Sequence, residues 1–387
     1  MTDRFRWHPE ARLFDSAGRE VSREGPTGAV LPDTPQGLAA AIGHPAFRLG
    51  ATDQPPPDTH DLPVFETLTS GSTGQPRRIR RTQGSWIASF RVNAGFGVGP
   101  GARVAVLGRL IHSLSLYGAI EGLHLGAEVH VLDGLRPDRQ RAALAQRRIT
   151  HLYATPAQLR LLAEGAGECP DLLLILVGGS KLDPALRADL VRLAPHAEVR
   201  EFYGAAETSF ITLADAETPH ASVGRAYPGV EIDLRDRGEV WVRSPYLFLG
   251  YAGSEGPSGA RWERDWLSVG EIGWMDGDFL YLRGRAGRMV TVADQNVFPE
   301  EIEAFLVTLP GVTRAAVLPR PDERRGQVLV AVLQGNPASE EAVRSALFGR
   351  LGPLKAPKAL IWRKDWPVLP SGKTDLTALE AAVSWPA

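Results

Sequence analysis

Between residues 85 and 193, short apolar segments alternate with longer amphipathic ones, and this alternation limits the possible folds more than any other feature of the sequence. The strand-like segments are 103–107, 128–132, 151–154 and 172–177, and the helix-like segments are 85–94, 116–125, 136–146, 156–163 and 184–193. Apolar strands joined by helices form parallel sheets that are covered on both faces. We therefore predict an α/β domain whose ligands bind at the loops after the carboxyl ends of the strands.

The pattern changes after residue 222. Short alternating segments at 230–234 and 239–243, separated by turn residues, predict a small antiparallel β unit. Beyond a glycine-rich junction at 284–287, the chain has helix-like segments at 299–309 and 340–351 and strand-like segments at 313–318, 328–333 and 359–363. We therefore expect two domains, a large one of residues 1–286 and a smaller α+β domain of residues 287–387.

Charge and cysteine content exclude some classes of protein. A net charge of −2 argues against a dedicated nucleic-acid binder, because binding to DNA needs a basic excess. The lone Cys169 excludes an intramolecular disulfide framework and favours a reducing compartment. The sequence shows no signal peptide and no apolar run of about 18 residues. We expect a cytoplasmic protein without a nucleic-acid or membrane partner.

A loop rich in serine, threonine and glycine follows the strand-like segment 62–68. It consists of Thr69, Ser70, Gly71, Ser72, Thr73 and Gly74, and Arg77, Arg78, Arg80 and Arg81 come next. Glycines let a backbone approach an anion, hydroxyl and N–H groups donate to phosphate oxygens, and arginines suit a polyphosphate. The composition alone equally allows a flexible linker followed by a solvated basic patch.

The order of these residues resembles the phosphate loop of the adenylate-forming superfamily, usually written [ST]SG[ST]TGxPK, with Arg77 in place of the usual Lys. That superfamily includes acyl-CoA synthetases, aryl-CoA ligases, luciferases and nonribosomal adenylation domains. Four more segments follow in the family order: FYGAAE at 202–207, VGEIG with DGDFLYLRGR at 269–285, NVFPEEIE at 296–303 and PSGKTD at 370–375. The chain is identified as a member with a shorter N-terminal region than is usual.

This resemblance implies the fold and the reaction. The family fold has a large N-terminal domain, with a Rossmann-like sheet and a small barrel, and a mobile C-terminal domain. The family reaction joins a carboxylic acid to the α-phosphate of ATP with Mg²⁺ and releases pyrophosphate. The acyl group then passes to a thiol, either coenzyme A or the phosphopantetheine of an acyl carrier protein.

The resemblance also assigns the nucleotide site. In the family motif YGxTE the aromatic residue stacks on adenine and the Glu binds Mg²⁺, which implies these roles for Tyr203 and Glu207. The site then includes the phosphate loop, Arg77, Gly204, Ala205 and Ala206. Ala206 replaces the family's Thr, so a hydrogen bond near the α-phosphate is lost or moves to Thr208. The same segment also reads as an ordinary strand end with a turn.

Three further positions acquire roles in the same way. Glu271 stands where the family has an Asp that accepts hydrogen bonds from the ribose hydroxyls, and Arg285 reinforces it. Gly287 lies at the hinge about which the small domain rotates. Lys373 matches the catalytic lysine, whose ammonium neutralises charge between the carboxylate and the α-phosphate. Without the resemblance, Glu271 could be a surface residue in a turn and Lys373 a solvated charge.

The acid pocket is expected next to His112. Amino-acid-activating members have an Asp at this place, so its absence favours a plain carboxylic acid, and the imidazole would close one side of the carboxylate pocket. The alternative is a His that caps a helix or whose hydrogen bonds are satisfied within the fold. By analogy the walls come from Tyr117, Gly178, Gly179, Ser180, Phe202, Ala205 and Ala206. Aromatic and small residues suggest a flat aryl acid such as a hydroxybenzoate or a cinnamate, and a medium-chain fatty acid also fits.

The thiol acceptor stays open. Basic residues of the small domain could bind the phosphates of coenzyme A or an acidic carrier protein, namely Arg324, Arg325, Lys355, Lys358, Arg363 and Lys364. Ala293 and Asp294 replace a Gly-Gly pair that lines the family's thiol channel. Together with Ala206 and Glu271, Asp294 supports an alternative of another class, a non-catalytic sensor or scaffold that binds an adenylate. Retention of Lys373 and Glu207 favours an active enzyme.

Overall fold

The computed structural model describes residues 3–23, 25–57, 61–69, 77–253, 259–292, 295–322, 326–369 and 373–383. Several residues with a predicted role therefore lie outside the described residues: Ser70, Gly71, Ser72, Thr73, Gly74, Ala293, Asp294, Arg324 and Arg325.

The predicted alternation of strands and helices is confirmed. The chain begins with β1 (Arg12–Phe14), β2 (Val30–Leu31), α1 (Pro35–Ala41), β3 (Ala46–Leu49), β4 (Val64–Leu68), β5 (Arg78–Thr82) and α2 (Gln83–Asn93). It continues with β6 (Arg103–Val106), α3 (Ser113–Leu125), β7 (Glu128–Val131), α4 (Pro137–Gln146), β8 (His151–Ala154), α5 (Pro156–Ala163), β9 (Leu174–Val177) and α6 (Pro184–Leu193). Helices α5 and α6 begin and end at the predicted residues.

The second half is mostly strand. It contains β10 (Glu198–Ala205), β11 (Ser209–Ala214), β12 (Gly224–Ala226), β13 (Glu231–Arg235), β14 (Glu239–Arg243), β15 (Gly250–Tyr251), β16 (Arg261–Glu263), β17 (Trp266–Asp276) and β18 (Phe279–Arg285). The last part contains β19 (Val290–Val292), β20 (Gln295–Val297), α7 (Pro299–Leu306), β21 (Val312–Asp322), β22 (Gly326–Gly335), α8 (Glu340–Lys355), β23 (Ala359–Trp362) and α9 (Leu376–Ala381). These elements form the expected α+β unit.

One long sheet runs through the N-terminal part, in the order β1-β7-β6-β8-β9-β10-β11-β12-β18-β17-β14-β13. Its strands are parallel from β1 to β10 and antiparallel from the β10–β11 pair onward. The fold class is as predicted. The antiparallel β unit does not form a separate sheet. Strand β11 pairs with β10, the last parallel strand, so the antiparallel strands extend the parallel sheet.

A second sheet in the order β15-β5-β4-β3-β2 carries the strands on either side of the phosphate-loop sequence. Strands β4 and β5 are antiparallel neighbours, with Leu68 opposite Arg78. The two ends of the segment that connects β4 to β5 therefore lie next to each other. In β5 the residues alternate between two faces: Ile79 and Arg81 are buried, whereas Arg78 and Arg80 lie on the opposite face.

The buried apolar residues of the described chain form four clusters. Two of them lie between residues 5 and 280 and the other two between residues 290 and 383. This distribution agrees with a division near residue 286, although the boundary itself stays a prediction. Within the described part of the chain, no helix combines the length and the hydropathy of a membrane span.

Candidate active site

A cavity of about 600 Å³ lies at the carboxyl ends of the parallel strands. Residues that follow β6, β7, β8 and β9, together with the end of β10, contribute to its walls, as expected for an open α/β sheet. Eleven residues with a predicted role line it: Thr69, His112, Tyr117, Gly178, Gly179, Ser180, Phe202, Gly204, Ala205, Ala206 and Lys373. The structure thus brings residues from both ends of the sequence together in one cavity.

Five residues of the predicted nucleotide site and the predicted hinge residue do not line this cavity: Arg77, Tyr203, Glu207, Glu271, Arg285 and Gly287. Tyr251 connects Arg77 to Glu207, and Arg285 bonds Glu271. Glu271 and Arg285 act electrostatically on Tyr203, and together with Glu207 they act on Lys373. Gly287 lies apart, in the turn after β18.

The two ends of the phosphate-loop segment are hydrogen-bonded to each other. The Thr69 amide donates to the Arg77 carbonyl at 2.8 Å, and the Arg77 amide donates to Thr69 Oγ1 at 2.9 Å. The Arg77 guanidinium lies 4.0 Å from the ring centroid of Tyr251, whose hydroxyl donates to Glu207 at 2.7 Å. Contacts therefore connect the end of the loop to the carboxylate that the resemblance assigns to Mg²⁺.

The four arginines after this loop were expected to act together on a polyphosphate. In the structure they do not share one environment. Arg80 and Arg48 each hydrogen-bond the buried Glu66 at 3.0 Å, and Arg78 lies 3.7 Å from the same carboxylate. Arg81 lies on the other face of β5 and lines the cavity. Because side chains alternate between the two faces of a strand, the sequence spacing could have assigned Arg81 to the face opposite Arg78 and Arg80.

Lys373 is surrounded by charged groups of the nucleotide motifs. Burial lowers its pKa, and Arg285 lowers it further, while Glu271 and Glu207 act in the opposite direction. Arg285 Nε donates to Glu271 Oε1 at 2.9 Å. Burial alone would lower the pKa of Arg285, but its interaction with Glu271 prevails and raises it. Two cations and two carboxylates from three motifs thus share one electrostatic environment.

Three buried polar atoms of the site have no hydrogen-bond partner among the described residues: Tyr203 Oη, His112 Nδ1 and Arg81 Nε. Burial raises the pKa of Tyr203 well above its usual value, and Glu271 adds to this shift. Unsatisfied buried groups cost about 1–3 kcal/mol each in a folded protein. Such atoms are expected where a ligand supplies the missing partner.

His112 immediately precedes α3 and does not cap it with its side chain. Burial lowers the pKa of its imidazole, and Arg109 lowers it further, so the ring is neutral at neutral pH. Its position is fixed from both sides, because Leu68 N donates to the Ile111 carbonyl at 3.1 Å and Thr67 Oγ1 lies 2.8 Å from Ser113 Oγ. The structure therefore contradicts the helix-capping alternative and places His112 in the cavity wall.

Thr208 does not replace the hydroxyl that is missing at Ala206. It is buried, is absent from the cavity wall and accepts a hydrogen bond from the Ala205 amide at 2.9 Å. Its role is to close the turn between β10 and β11. The suggestion that the hydrogen bond moves to Thr208 is therefore wrong.

An aromatic wall bounds the acid side of the cavity. The Phe202 ring packs directly on Gly178, since a Cβ at residue 178 would lie 2.1 Å from Phe202 Cζ. Phe210 lies 4.7 Å from Phe202 and 5.2 Å from Tyr117, measured between ring centroids, and Tyr117 lies 5.0 Å from Trp86. The sequence analysis missed Trp86 and Phe210, because their approach to the cavity depends on the packing of distant elements.

A buried carboxyl group lies behind this wall. Glu121 is fully buried and accepts hydrogen bonds from Asn93 at 2.9 Å, from Tyr117 at 3.1 Å and from Tyr153. Burial raises its pKa to about 7, although these hydrogen bonds oppose the shift. The network fixes the orientation of Tyr117, whose ring lines the cavity.

The predicted hinge lies in a single helical turn, Ala286–Arg288. A Cβ at Gly287 would meet no atom within 4 Å, and its φ is not in the left-handed region. The next residue, Arg288, bonds Glu303 at 2.7 Å and lies 3.2 Å from Glu300, both at the start of α7. These ion pairs attach the C-terminal part to the turn.

The described residues include no group of three or more His, Cys, Asp or Glu side chains arranged to hold a metal ion. A nucleotide-bound Mg²⁺ does not require one, because it is usually held by one or two carboxylates, phosphate oxygens and waters. Glu207 fits such a role, since its carboxylate lies beside the end of the phosphate-loop segment.

Comparison with known proteins identifies the family. The family model for AMP-binding enzymes matches residues 8–252, and the model for the C-terminal domain of AMP-binding enzymes matches residues 301–373. The protein class is that of the AMP-forming acid–thiol ligases. The chain belongs to the AMP-binding enzyme family, the adenylate-forming superfamily that its motifs indicate.

Named relatives and solved structures agree with this assignment. The chain is 32% identical to an uncharacterised acyl-CoA ligase of Bacillus subtilis (strain 168), over 84% of this chain and 69% of the relative. It is 29% identical to the indoleacetate–CoA ligase of Aromatoleum aromaticum, over 80% of this chain and 65% of the relative. The chain thus spans about two thirds of the length of these relatives.

Two structures show the same fold. An amide bond synthetase from Marinactinospora thermotolerans superposes with a TM-score of 0.73 at 25% identity, over 86% of this chain and 71% of the other. The o-succinylbenzoate CoA synthetase of Bacillus subtilis, solved with its acyl-adenylate intermediate, gives a TM-score of 0.71 at 24% identity, over 84% and 70% of the two chains.

Proposed function

We propose that the protein activates a carboxylic acid with ATP, forming an acyl-adenylate and pyrophosphate, and then transfers the acyl group to a thiol. The observation that carries this proposal is the position of Lys373. Its side chain lines the same cavity as His112 and interacts electrostatically with Arg285, Glu271 and Glu207. A lysine from the end of the chain has no structural reason to be buried among the nucleotide motifs.

The residues present fit a nucleotide. Thr69, the residues 70–74 and Arg77 would hold the phosphates, and Tyr203 with its unsatisfied hydroxyl would lie against the base. The Glu271 carboxylate, oriented by Arg285, would accept hydrogen bonds from the ribose. Bound Mg²⁺ would offset the negative charge of the phosphates, and Glu207 is the carboxylate that would hold it.

The chemical step requires a carboxylate oxygen in line with the bond between the α-phosphorus and the departing pyrophosphate. The neutral His112 would close one side of the carboxylate pocket without trapping the acid in an ion pair. The Lys373 ammonium would stabilise the charge that develops on the α-phosphate oxygens during the attack. Ala206 contributes no hydroxyl, so Lys373 would provide a larger share of this stabilisation than in members with a Thr.

The aromatic wall supports an aryl acid, such as a hydroxybenzoate or a cinnamate, as the substrate. Gly178 lets the Phe202 ring pack directly against the backbone of the cavity wall, and the aromatic side chains suit a planar ring. A cavity of about 600 Å³ would also accept a fatty acyl chain of medium length, which remains the second candidate. We further infer a cytoplasmic location from the single, buried Cys169.

The acceptor is coenzyme A or the phosphopantetheine of an acyl carrier protein. Acyl-CoA ligases among the relatives support coenzyme A. The position of Asp294 in the expected thiol channel is the reason to keep the carrier protein as an alternative.

The test is acid-dependent exchange between ATP and pyrophosphate, measured without a thiol over benzoates, cinnamates, fatty acids and amino acids. We expect exchange with one class of acid, and addition of coenzyme A or of a carrier protein then identifies the acceptor. ATP binding without exchange for any acid would overturn the proposal. It would favour the other class, a non-catalytic adenylate-binding sensor or scaffold.

A further inference from the structure

Arg81 is a buried cation in the wall of the acid cavity. Its side chain is 1% exposed, and it lines the cavity together with Trp86, Tyr117 and Phe210. Its two terminal nitrogens donate to the backbone carbonyls of Ala206 and Tyr246. Its Nε has no hydrogen-bond partner among the described residues. A guanidinium has five N–H donors, so these contacts leave part of its hydrogen-bonding capacity unused.

No carboxylate of the described residues forms an ion pair with Arg81, and Glu207 acts on it only through space. Burial lowers the pKa of Arg81 to about 9, so the side chain stays cationic at neutral pH. Glu207 already accepts the Tyr251 hydroxyl and is the proposed Mg²⁺ ligand. A buried charge without a counter-ion is costly, and a bound anion would remove that cost.

Arg81 lies between the FYGAAE segment and the aromatic wall, because its guanidinium donates to the Ala206 and Tyr246 carbonyls. It is three residues beyond Arg78, the first residue of β5 after the phosphate-loop segment, which corresponds to about 10 Å along a strand. Its partner Tyr246 packs on Tyr227, with ring centroids 5.4 Å apart, and Tyr227 stacks on Phe210 at 4.6 Å. Glu207 acts on both Arg81 and Lys373, but Arg81 is not among the charges that act on Lys373, which are Arg285, Glu271 and Glu207.

We propose that Arg81 determines substrate specificity by binding a second carboxylate, at the end of the acid that is remote from the reacting carboxylate. The preferred substrates are then dicarboxylic acids. This inference rests on the proposed acid activation and narrows the class of acid, because it places acids with a second carboxylate ahead of the hydroxybenzoates, cinnamates and fatty acids named above. A guanidinium and a carboxylate form short, charge-assisted and often bidentate hydrogen bonds, and a site built for such a group discriminates strongly against analogues that lack it.

The first test uses the unmodified protein and pairs of acids of similar length. Pyrophosphate exchange is measured for terephthalate against benzoate and 4-hydroxybenzoate, and for adipate against hexanoate. We expect kcat/KM to be about 100-fold higher for the dicarboxylate in at least one pair. Equal or higher values for the monocarboxylate or the hydroxy acid would overturn the inference while leaving acid activation intact. Absence of exchange with every acid would overturn the proposed function as well.

The second test changes Arg81. In Arg81→Leu we expect the preference to reverse, with the dicarboxylate losing at least 100-fold in kcat/KM and the monocarboxylate gaining or unchanged. Arg81→Lys keeps the charge and is expected to retain a preference for the dicarboxylate. If the Leu variant does not fold, the Lys variant and the acid pairs with the unmodified protein decide the question. A uniform loss for all acids in Arg81→Lys would assign Arg81 a structural role only.

Arg147→Leu is the matched control. Like Arg81, Arg147 donates to two backbone carbonyls, those of Asp15 and Ser16, but it does not line the cavity. We expect this variant to change the ratio between the two acids less than twofold. A change in that ratio as large as in Arg81→Leu would show that loss of any such arginine perturbs the site, and would overturn the inference.

Discussion

Glu271 and Arg285 face each other across neighbouring strands, and Arg285 Nε donates to the Glu271 carboxylate at 2.9 Å. The longer Glu reaches the arginine without breaking the sheet, so the departure from the family's Asp leaves the pair intact. The carboxylate is held in one orientation, with its remaining acceptor sites available to a ribose.

Glu271→Gln tests this role. We expect KM for ATP in the exchange reaction to rise about 10- to 100-fold, because a hydrogen bond to a charged group contributes about 1.5–3 kcal/mol. The control is Glu239→Gln, which removes another carboxylate of the same sheet, one that pairs with Arg261 and Ser268. That variant should lower the midpoint of urea unfolding and leave KM for ATP unchanged. An unchanged KM in Glu271→Gln would remove Glu271 from the nucleotide site.

Lys373→Ala is expected to lower kcat for adenylation about 10²- to 10³-fold, the usual cost of removing one preorganised donor to a transition state. Binding of ATP should change little. Arg344→Ala serves as a control in the same part of the chain, because Arg344 only pairs with Glu340 on the surface of α8. Equal activity of the two variants would exclude Lys373 from catalysis.

Gly178→Ala would place a methyl group against the Phe202 ring and push it into the acid cavity. Overpacking of this kind costs about 1–3 kcal/mol. We expect KM for the acid to rise about tenfold or more, while KM for ATP stays constant. Gly95→Ala, where a Cβ meets no atom within 4 Å, should affect neither constant. Equal increases in both constants would indicate a general distortion of the sheet.

The buried Glu121 predicts a pH dependence of stability. Its pKa is about 7 in the folded protein against an ordinary value of 4.5, so between these values the unfolded chain ionises while the folded protein keeps the proton. The protein therefore loses stability as pH rises from 4.5 to 7, and Glu121→Gln does not undergo this loss. We expect the free energy of unfolding of the variant to gain about 3 kcal/mol relative to the unmodified protein over this interval.

Urea unfolding at pH 5 and pH 8 measures this difference. Tyr153→Phe provides a second check, because the Tyr153 hydroxyl lowers the pKa of Glu121 and its removal should extend the loss to higher pH. The opposite outcome is that the two proteins differ in their free energy of unfolding by the same amount at pH 5 and at pH 8. That result would show that Glu121 is already ionised in the folded state.

Gly287→Ala distinguishes the two half-reactions. A Cβ fits the present conformation without contact, so adenylation should be unaffected. If rotation of the small domain moves residue 287 to a positive φ, Ala would cost about 1–2 kcal/mol in that state and slow thiol transfer about 5- to 30-fold. Both rates are measured on one preparation, by pyrophosphate exchange and by thioester formation. A loss of adenylation would place the hinge elsewhere.

Local signals explain why much of the fold could be predicted. Helix α5 starts at its predicted residue because Thr155 and Gln158 form a capping box ahead of the apolar run. Helix α6 starts after Asp183, whose side chain accepts the Leu186 amide, and Pro184 occupies its first turn. Such signals lie within four residues of each other and can be read without knowledge of the fold.

The differences arise where partners are distant in sequence. Strand β10 runs on through the FYGAAE segment to Ala205, because its last residues pair with β11. Arg81 was grouped with its neighbours as a phosphate ligand, although its environment is set by Ala206 and Tyr246, more than a hundred residues away. The motifs identified which residues belong together, and tertiary packing decided which face of each strand they occupy.

The continuity of the long sheet has a consequence for how substrate preference can change. Gly178 follows β9 and Glu271 lies on β17, five strands further along the same sheet. Hydrogen-bonded strands, and not loops, thus set the distance between the two ends of the site. Side chains at the acid end can be exchanged without altering that spacing, so a new acid can be accommodated while the nucleotide keeps its place.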